Sequence, residues 1–294
     1  MRYFMRLMFR TLLTTSFLSV IALTVQAQIQ VELKFSRLQY IAFEPVLAKV
    51  TITNLTGRDI DLHNDRDQTW SAFEIQGDQG RLIAPRQRPP EPALHIAAGT
   101  SVTRKIDLTE LFPIGDLGVY HVRANVFFAD LNKFFYARTK VFEVTSARPI
   151  WQRTVGDPKT NRVHTYSLMT NRFPDHTSLY VRVEDRQNSL VYATYSLGRV
   201  IEFDEPQAEV DRENRLHVLQ CSAPRVWSYS MIGLDGKLLE RASYSQTRSL
   251  PRLRRGDDGR VMVQGGILEG PVAQARTKSA PSLSAQPGNL PPED

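Results

Sequence analysis

DLGVYHVRANV, residues 116–126, is the stretch that determines the fold class of this chain. From Tyr120 to Val126 every second residue is apolar, and the residues between them are His, Arg and Asn. An apolar residue at every second position is typical of a β-strand with one buried face. Gly118 stands just before this strand, where glycine permits a tight turn that other residues resist.

The same alternation continues through the rest of residues 30–146. It recurs in six further segments, which are residues 30–35, 46–52, 58–62, 70–76, 101–108 and 134–144. About seven short strands in about 115 residues, with turn residues between them, are typical of an antiparallel sandwich. The sequence therefore predicts an all-β fold with a sandwich over residues 28–146.

Asp116, Gly118 and Tyr120 form the pattern Asp-x-Gly-x-Tyr, which resembles the tyrosine corner of immunoglobulin-like folds. Other turn and strand patterns in residues 30–146 are similar to those of bacterial sandwiches related to macroglobulin domains and to the intracellular proteinase inhibitor type. These patterns are Glu44-Pro45-Val46, Thr51-Ile52-Thr53-Asn54, Thr56-Gly57, Ala98-Gly99-Thr100-Ser101 and Ile106-Asp107-Leu108. The resemblance implies an immunoglobulin-like sandwich that serves as a binding or spacing unit.

A protease inhibitor of this type needs an exposed loop, and residues 84–93, APRQRPPEPA, are the candidate. Four prolines, at positions 85, 89, 90 and 92, would hold this loop extended and poor in backbone donors, as many recognition segments are. A plain surface connector is the alternative interpretation.

The N-terminal residues predict export. Three arginines precede an apolar run over residues 12–25, which ends in Val-Gln-Ala. A basic head, a short apolar core and a small-x-Ala junction are the features of a secretory signal peptide. We therefore expect cleavage after residue 27, a mature chain that begins at Gln28, and a periplasmic or extracellular location.

Charge and cysteine content narrow the classes of partner. Loss of residues 1–27 removes three positive charges, so the formal net charge falls from +6 to +3. This excess is too small and too scattered to indicate a nucleic-acid partner. The single cysteine, Cys221, leaves no intramolecular disulfide and lies far from the cleavage junction, so we expect no stable membrane anchor after signal cleavage.

The pattern changes after residue 146. Pro149, Gly156 and Pro158 interrupt the alternation, which predicts a linker over residues 147–160. Residues 161–266 then carry the tripeptide Ser/Thr-Tyr-Ser four times, centred on Tyr166, Tyr195, Tyr229 and Tyr244. Such recurrence predicts a domain of repeated β units. Residues 267–294 are rich in Pro, Ala, Ser and Gln, which predicts a disordered tail.

The repeat segment also resembles the blades of β-propellers. The resemblance rests on Asn214-Arg215-Leu216-His217-Val218 and on Asp235-Gly236-Lys237 further along the chain. Residues 160–266 hold only about two and a half such units, and closed propellers take four or more blades. A ring within one chain is therefore excluded, and we expect blade-like sheets that cover each other.

The chain lacks several well-known catalytic and metal-binding motifs. The chain has no His-Glu-x-x-His, no Gly-x-Ser-x-Gly, no phosphate-binding loop and no paired cysteines. We therefore predict no catalytic residue, no metal site and no cofactor. The ligand-binding candidates are four aromatic residues and two acids, namely Tyr192, Tyr195, Trp227, Tyr229, Glu202 and Asp204.

Three functions remain open. The first is an exported, non-enzymatic binding or structural protein with a protein or surface polysaccharide as its partner. The second is a glycan-active enzyme or carbohydrate-binding protein, because acids clustered near aromatic residues are typical of sugar sites. Its acids are Glu202, Asp204, Glu205, Glu209 and Asp211. In the opposing interpretation the aromatic residues are core and the acids form a solvated loop. The third is protease inhibition through loop 84–93.

Overall fold

The computed structural model describes residues 29–66, 68–87, 89, 91–158, 160–201 and 203–269. Within these ranges the chain is all-β, with 21 strands and one short α-helical turn, α1, at Leu108–Leu111. The predicted signal peptide and residues 270–294 of the predicted tail lie outside the described residues. No described helix is long and apolar enough to cross a membrane.

The chain forms two compact units whose boundaries differ from the expected ones. Among the described residues, the first unit holds residues 29–38, Val46–Pro113 and Val119–Phe142. The second holds Gln39–Pro45, Ile114–Gly118 and the described residues from Glu143 onward. Three short segments of the expected sandwich, residues 39–45, 114–118 and 143–146, therefore belong to the second unit.

Ten strands precede residue 147. They are β1 (Ile29–Phe35), β2 (Gln39–Ile41), β3 (Leu47–Asn54), β4 (Ile60–Leu62), β5 (Ser71–Gln76), β6 (Leu94–Ile96), β7 (Ser101–Asp107), β8 (Gly118–Phe128), β9 (Lys133–Tyr136) and β10 (Lys140–Thr145). One sheet has the order β1-β3-β7, a second has the order β2-β10-β8-β5 with β9 on β8, and β4 pairs with β6. The rings of Phe35 in β1 and Phe142 in β10 lie 5.2 Å apart, so the first two sheets share a core.

The alternating stretch around Tyr120 lies in β8. Gly118 has a φ of 142°, a backbone conformation that favours glycine. Tyr120 is buried, and its ring stacks on Phe142 with 5.2 Å between the centroids. The tyrosine is thus a core residue at the start of its strand, while the backbone hydrogen bond of a tyrosine corner stays a prediction.

The second unit continues with eleven strands. They are β11 (Arg148–Gly156), β12 (Val163–Arg172), β13 (Thr177–Asp185), β14 (Leu190–Val200), β15 (Gln207–Val210), β16 (Leu216–Ala223), β17 (Val226–Ile232), β18 (Leu238–Ser245), β19 (Arg252–Arg255), β20 (Val261–Gln264) and β21 (Ile267–Leu268). Their sheets have the orders β11-β12-β13-β14, β15-β16-β17-β18-β21 and β19-β20. We call the first of these sheet A and the second sheet B.

The segment expected to be a linker is instead largely strand β11, which pairs with β12 along its length. Proline lacks an N–H and is tolerated at sheet edges and bulges. Pro149 occupies such a place, because β11 is the edge strand of sheet A and its register shifts between Pro149 and Trp151. The proline that suggested a linker therefore marks an edge strand.

Sheets A and B share one apolar core, as expected for blade-like sheets that cover each other. Leu168, Val181 and Leu197 of sheet A belong to the same buried cluster as Leu216 and Val218 of sheet B. A second buried cluster joins sheet B to the β19-β20 hairpin.

The four repeated tyrosines all lie in strands of these two sheets, one each in β12, β14, β17 and β18. The predicted tail begins later than residue 267, because Ile267–Leu268 form β21 and pair with β18.

Candidate functional site

A cleft of about 290 Å³ lies in the second unit, beside sheet B. Residues from three separate parts of the chain line it, including Asp204, Glu205, Pro206, Trp227, Pro251 and Arg252. The loop before β15 supplies the acids, β17 supplies the tryptophan, and the start of β19 supplies the arginine. A hydrogen bond from the backbone N–H of Leu253 to Oε1 of Gln207, 2.9 Å long, ties the loop side of the cleft to the β19 side.

Trp227 is the most buried aromatic residue of the cleft. It pairs with Cys221 on one side and Tyr244 on the other, and its side chain joins the cluster between sheet B and the hairpin. The residue is only 2% exposed. Its indole Nε1 has no hydrogen-bond partner among the described residues. A buried donor without an acceptor is rare in proteins and calls for an explanation.

The acids of the cleft are accessible, whereas the cysteine beside them is not. Asp204 and Glu205 are exposed, and Phe203, next to them in the chain, is 96% exposed. Burial raises the pKa of the Cys221 thiol, and the negative charge of Asp204 raises it further. Cys221 is thus a buried thiol of low reactivity.

A second cluster of polar side chains lies in and beside sheet B and is largely buried. Nδ1 of His217 lies 2.7 Å from the hydroxyl of Tyr229, and Nε2 of His217 lies 3.1 Å from Oδ2 of Asp211. The Arg215 guanidinium donates to the same carboxylate at 2.7 Å. All of these side chains except the arginine are nearly completely buried. We call Asp211, Arg215, His217 and Tyr229 the sheet B network.

Electrostatics determine the direction of hydrogen bonding in this network. Burial alone would raise the pKa of Asp211, but the backbone N–H of Arg215, His217 and the Arg215 side chain together hold that pKa below its usual value. Burial raises the pKa of Tyr229, with a further contribution from Glu240. The carboxylate can only accept, so Nε2 of His217 donates to it, and in the neutral imidazole with this tautomer Nδ1 accepts from the Tyr229 hydroxyl.

Sheet A also contains buried polar side-chain atoms, and several of them have no hydrogen-bond partner among the described residues. The hydroxyls of Tyr192 and Tyr195 are buried and have no hydrogen-bond partner within the described part of the chain, and neither has either ring nitrogen of His164. The rings of His164 and Tyr192 stack with 4.9 Å between their centroids. Tyr192 and Tyr195 also pack against the core shared by the two sheets.

The predicted ligand-binding residues therefore fall into separate places. Asp204 and Trp227 share the cleft, Tyr229 is part of the sheet B network, and Tyr192 and Tyr195 contact the core from sheet A. Glu202 lies outside the described residues. The aromatic residues do not form an exposed stacking platform, because each is at least partly buried and Trp227 and Tyr229 almost completely so.

Among the other acids, Asp211 belongs to the network, and Glu209 lies opposite His217 in the β15-β16 register. Sequence reasoning missed Pro251 and Arg252, which join the cleft from the far end of the domain. No local pattern marks them. The sequence contained a weak signal for the sheet B network, since only one turn and the start of β16 separate Asp211 from His217.

Loop 84–93 is attached at its ends and exposed between them. Arg86 donates its backbone N–H to the carbonyl of Leu111 at 2.7 Å, and Trp70 Nε1 donates to the carbonyl of Pro92 at 2.9 Å. Gln87 and Pro89 are exposed, and Arg88 and Pro90 lie outside the described residues. The loop does not pack flat against its unit, so the protease-inhibitor hypothesis stays open.

The chain matches no family model, no curated protein and no solved structure. The residues of the cleft, the network and the loop are therefore the basis for assigning a function.

Proposed function

We propose that this protein is an exported, non-enzymatic binding protein of the cell envelope or extracellular space, and that the cleft is its binding site. The observation that carries this proposal is that Asp204, Glu205 and Trp227 line one cleft. Support for export comes from the basic and apolar pattern of residues 1–27, and support for an immunoglobulin-like first unit comes from the strand pattern around Tyr120.

The cleft favours a ligand with a cationic side chain on a backbone that carries a carbonyl. Asp204 and Glu205 supply two negative charges against the one positive charge of Arg252, so the lining keeps a net negative charge. Pro206 and Pro251 supply apolar surface, and Trp227 supplies a donor without an acceptor. A carbonyl oxygen would satisfy the indole, and a guanidinium would pair with the carboxylates through charge-assisted hydrogen bonds. An arginine-containing segment of a partner protein combines these features.

The way in which the titratable groups are already paired supports binding without catalysis. The Asp211 carboxylate already accepts from His217, Arg215 and two backbone N–H groups. His217 and Tyr229 are occupied with each other. A general acid or base must reach the proton that it transfers, and these buried groups have no such access. Asp204 and Glu205, adjacent in the chain, supply charge to the rim.

A surface polysaccharide is the second candidate ligand. Phe203, 96% exposed and next to Asp204, offers an aromatic face on which a sugar ring can pack. Sugar hydroxyls would accept from the Trp227 indole and donate to the carboxylates. This ligand needs Phe203, whereas an arginine segment needs the negative charges.

The test is calorimetric titration of the mature protein with a tetra-arginine peptide, followed by a glycan array. We expect the peptide to bind and Asp204→Asn to weaken it by roughly 10-fold, since one charge-assisted hydrogen bond contributes about 1.5–3 kcal/mol. Trp227→Phe keeps an aromatic ring in the core, removes the indole donor, and should also weaken binding. Glu209→Gln is the matched control, because Glu209 lies on β15 but does not line the cleft.

Three outcomes separate the candidates. Binding that Asp204→Asn weakens and Phe203→Ala leaves unchanged supports the arginine segment. Binding of a glycan that Phe203→Ala abolishes supports the polysaccharide. If neither probe binds, or if Glu209→Gln has the same effect as Asp204→Asn, the cleft is not the binding site.

A further inference from the structure

Loop 84–93 of the first unit is fixed on its N-terminal side by α1. The backbone N–H of Arg86 donates to the carbonyl of Leu111 at 2.7 Å, and Nη1 of Arg86 donates to the carbonyl of Thr109 at 3.2 Å. Just before, Ile83 donates to the carbonyl of Ile75 in β5 at 2.9 Å. The entrance to the loop is therefore held by hydrogen bonds to neighbouring elements.

The C-terminal side of the loop is fixed by a buried tryptophan. Trp70 is fully buried and donates from Nε1 to the carbonyl of Pro92 at 2.9 Å. Asn64 accepts from the Trp70 backbone N–H at 3.1 Å and donates to the carbonyl of Glu91 at 2.8 Å. Arg104 forms an ion pair of 2.8 Å with Glu91. These contacts use backbone groups and the acid of the loop, and the rings of Pro89 and Pro92 stay exposed.

From one fixed end of the loop to the other, an arginine and two prolines follow each other at a spacing of three residues. Arg86, Pro89 and Pro92 stand at positions i, i+3 and i+6, and all three are exposed. A polyproline II helix has three residues per turn, so these residues would lie along one edge of such a helix. The sequence Arg-x-x-Pro-x-x-Pro is thereby presented on a loop whose ends are already ordered.

We propose that loop 84–93 is a docking segment for a partner protein with a groove lined by aromatic side chains and rimmed by acids. Pro89 and Pro92 fill the aromatic groove, and Arg86 pairs with the acidic rim. Grooves of this kind, as in SH3 and WW domains, bind polyproline II segments because little conformational entropy is lost. Attachment at both ends lowers that loss further. The site belongs to the first unit and is independent of the cleft.

The experiment titrates the mature protein into a panel of purified SH3 and WW domains. We expect at least one domain to bind, and the double variant Pro89→Ala, Pro92→Ala to lose at least about 10-fold in affinity. Pro85→Ala is the matched control, since Pro85 is exposed in the same loop but lies off the three-residue register. The cleft variant Asp204→Asn should leave this binding unchanged, which separates failure of this proposal from failure of the cleft proposal.

Trp70→Phe tests the role of the fixed loop. This change keeps a buried aromatic ring and removes the hydrogen bond to Pro92, so we expect weaker binding with the thermal transition still cooperative. A synthetic peptide of residues 84–93 should likewise bind more weakly than the protein.

The docking proposal is overturned if no domain of the panel binds, or if Pro85→Ala weakens binding as much as the double variant. It is also overturned if the intact loop instead forms a stable, inhibitory complex with trypsin.

Discussion

Sheets A and B of the second unit carry the same tripeptide, and two of its tyrosines, Tyr195 of sheet A and Tyr229 of sheet B, use their hydroxyls differently. A third, Tyr166 of sheet A, donates to the carbonyl of Asn214 at 2.8 Å. Tyr195 in β14 and Tyr229 in β17 both stand between two hydroxyl residues and both contact a buried cluster. The Tyr229 hydroxyl is bonded to His217, whereas the Tyr195 hydroxyl has no partner among the described residues. The repeat therefore specifies strand and core position, and residues outside the repeat specify polar pairing.

Asp211 is the residue that makes sheet B different. It begins a turn in which Asn214 donates back to the Asp211 carbonyl at 3.1 Å, and its carboxylate then faces the backbone N–H groups of Glu213 and Arg215. Removal of the carboxylate would leave His217 and Arg215 without their acceptor. The difference between the two sheets should depend on this side chain more than on any other.

Asp211→Ala should have the largest effect on stability. Loss of one member of a buried, charged group costs about 3–5 kcal/mol, because the partners stay buried without compensation. Urea unfolding followed by circular dichroism measures the change. Asp235→Ala is the control, since Asp235 caps the turn at residues 233–237 but is half exposed, and its loss should cost at most about 1 kcal/mol. Equal costs for the two variants would contradict the special role of Asp211.

Gly236→Ala tests the contact between the two sheets. Gly236 has a φ of 78°, and a Cβ there would lie 2.5 Å from Cβ of Ala193 in sheet A. The left-handed conformation and the overlap together should cost roughly 2–4 kcal/mol. Gly57→Ala, at a φ of 76° in open space, should cost only about 1–2 kcal/mol. Thermal unfolding of both variants checks the difference, and Ala193→Gly should partly rescue Gly236→Ala.

Loss of the hydroxyl should change the free energy of unfolding in opposite directions at Tyr229 and Tyr195. Tyr229→Phe leaves Nδ1 of His217 without a partner and should cost about 1–3 kcal/mol. Tyr195→Phe removes a buried hydroxyl without a partner and should be neutral or stabilising by up to about 1 kcal/mol. Urea unfolding of the two variants compares them directly. A larger loss in Tyr195→Phe would mean that the Tyr195 hydroxyl is paired after all.

The smallest expected effect is on how the stability of the protein depends on pH. Because the folded-state pKa of Asp211 is lowered, its contribution to stability is present above the unfolded-state value of about 3.9 and is lost as the pH falls through the folded-state pKa. The stability gap between the wild type and Asp211→Asn should therefore be constant near neutral pH and narrow below about pH 4. Urea unfolding between pH 3 and pH 7 measures it, and a gap that widens in acid would contradict the assigned pKa direction.

Much of the fold follows from period-two alternation. Strands such as β3 and β8 bury alternate residues against a core, which fixes their period. Pro149 misled the domain boundary because proline stops a central strand but not an edge strand. Ile267 and Leu268 were assigned to the tail because a two-residue strand has no period to detect.

The candidate site was less predictable for a physical reason. The cleft joins Asp204 to Arg252, and the loop contacts join Trp70 to Pro92. Such pairings depend on how sheets and loops pack, and no local pattern encodes them. The sequence named Asp204 and Trp227 as ligand-binding candidates, and both line the cleft, but it did not show that Tyr229 is used internally.

The most direct test of the binding site is the indole resonance of Trp227, followed by two-dimensional NMR during titration with the tetra-arginine peptide. Trp70 supplies an internal reference because its indole already donates to Pro92, and Trp227→Phe assigns the signal. We predict that the Trp227 indole signal shifts and saturates while that of Trp70 stays in place. A peptide that binds without moving the Trp227 signal, or that does not bind at all, would contradict the assignment of the cleft as the binding site.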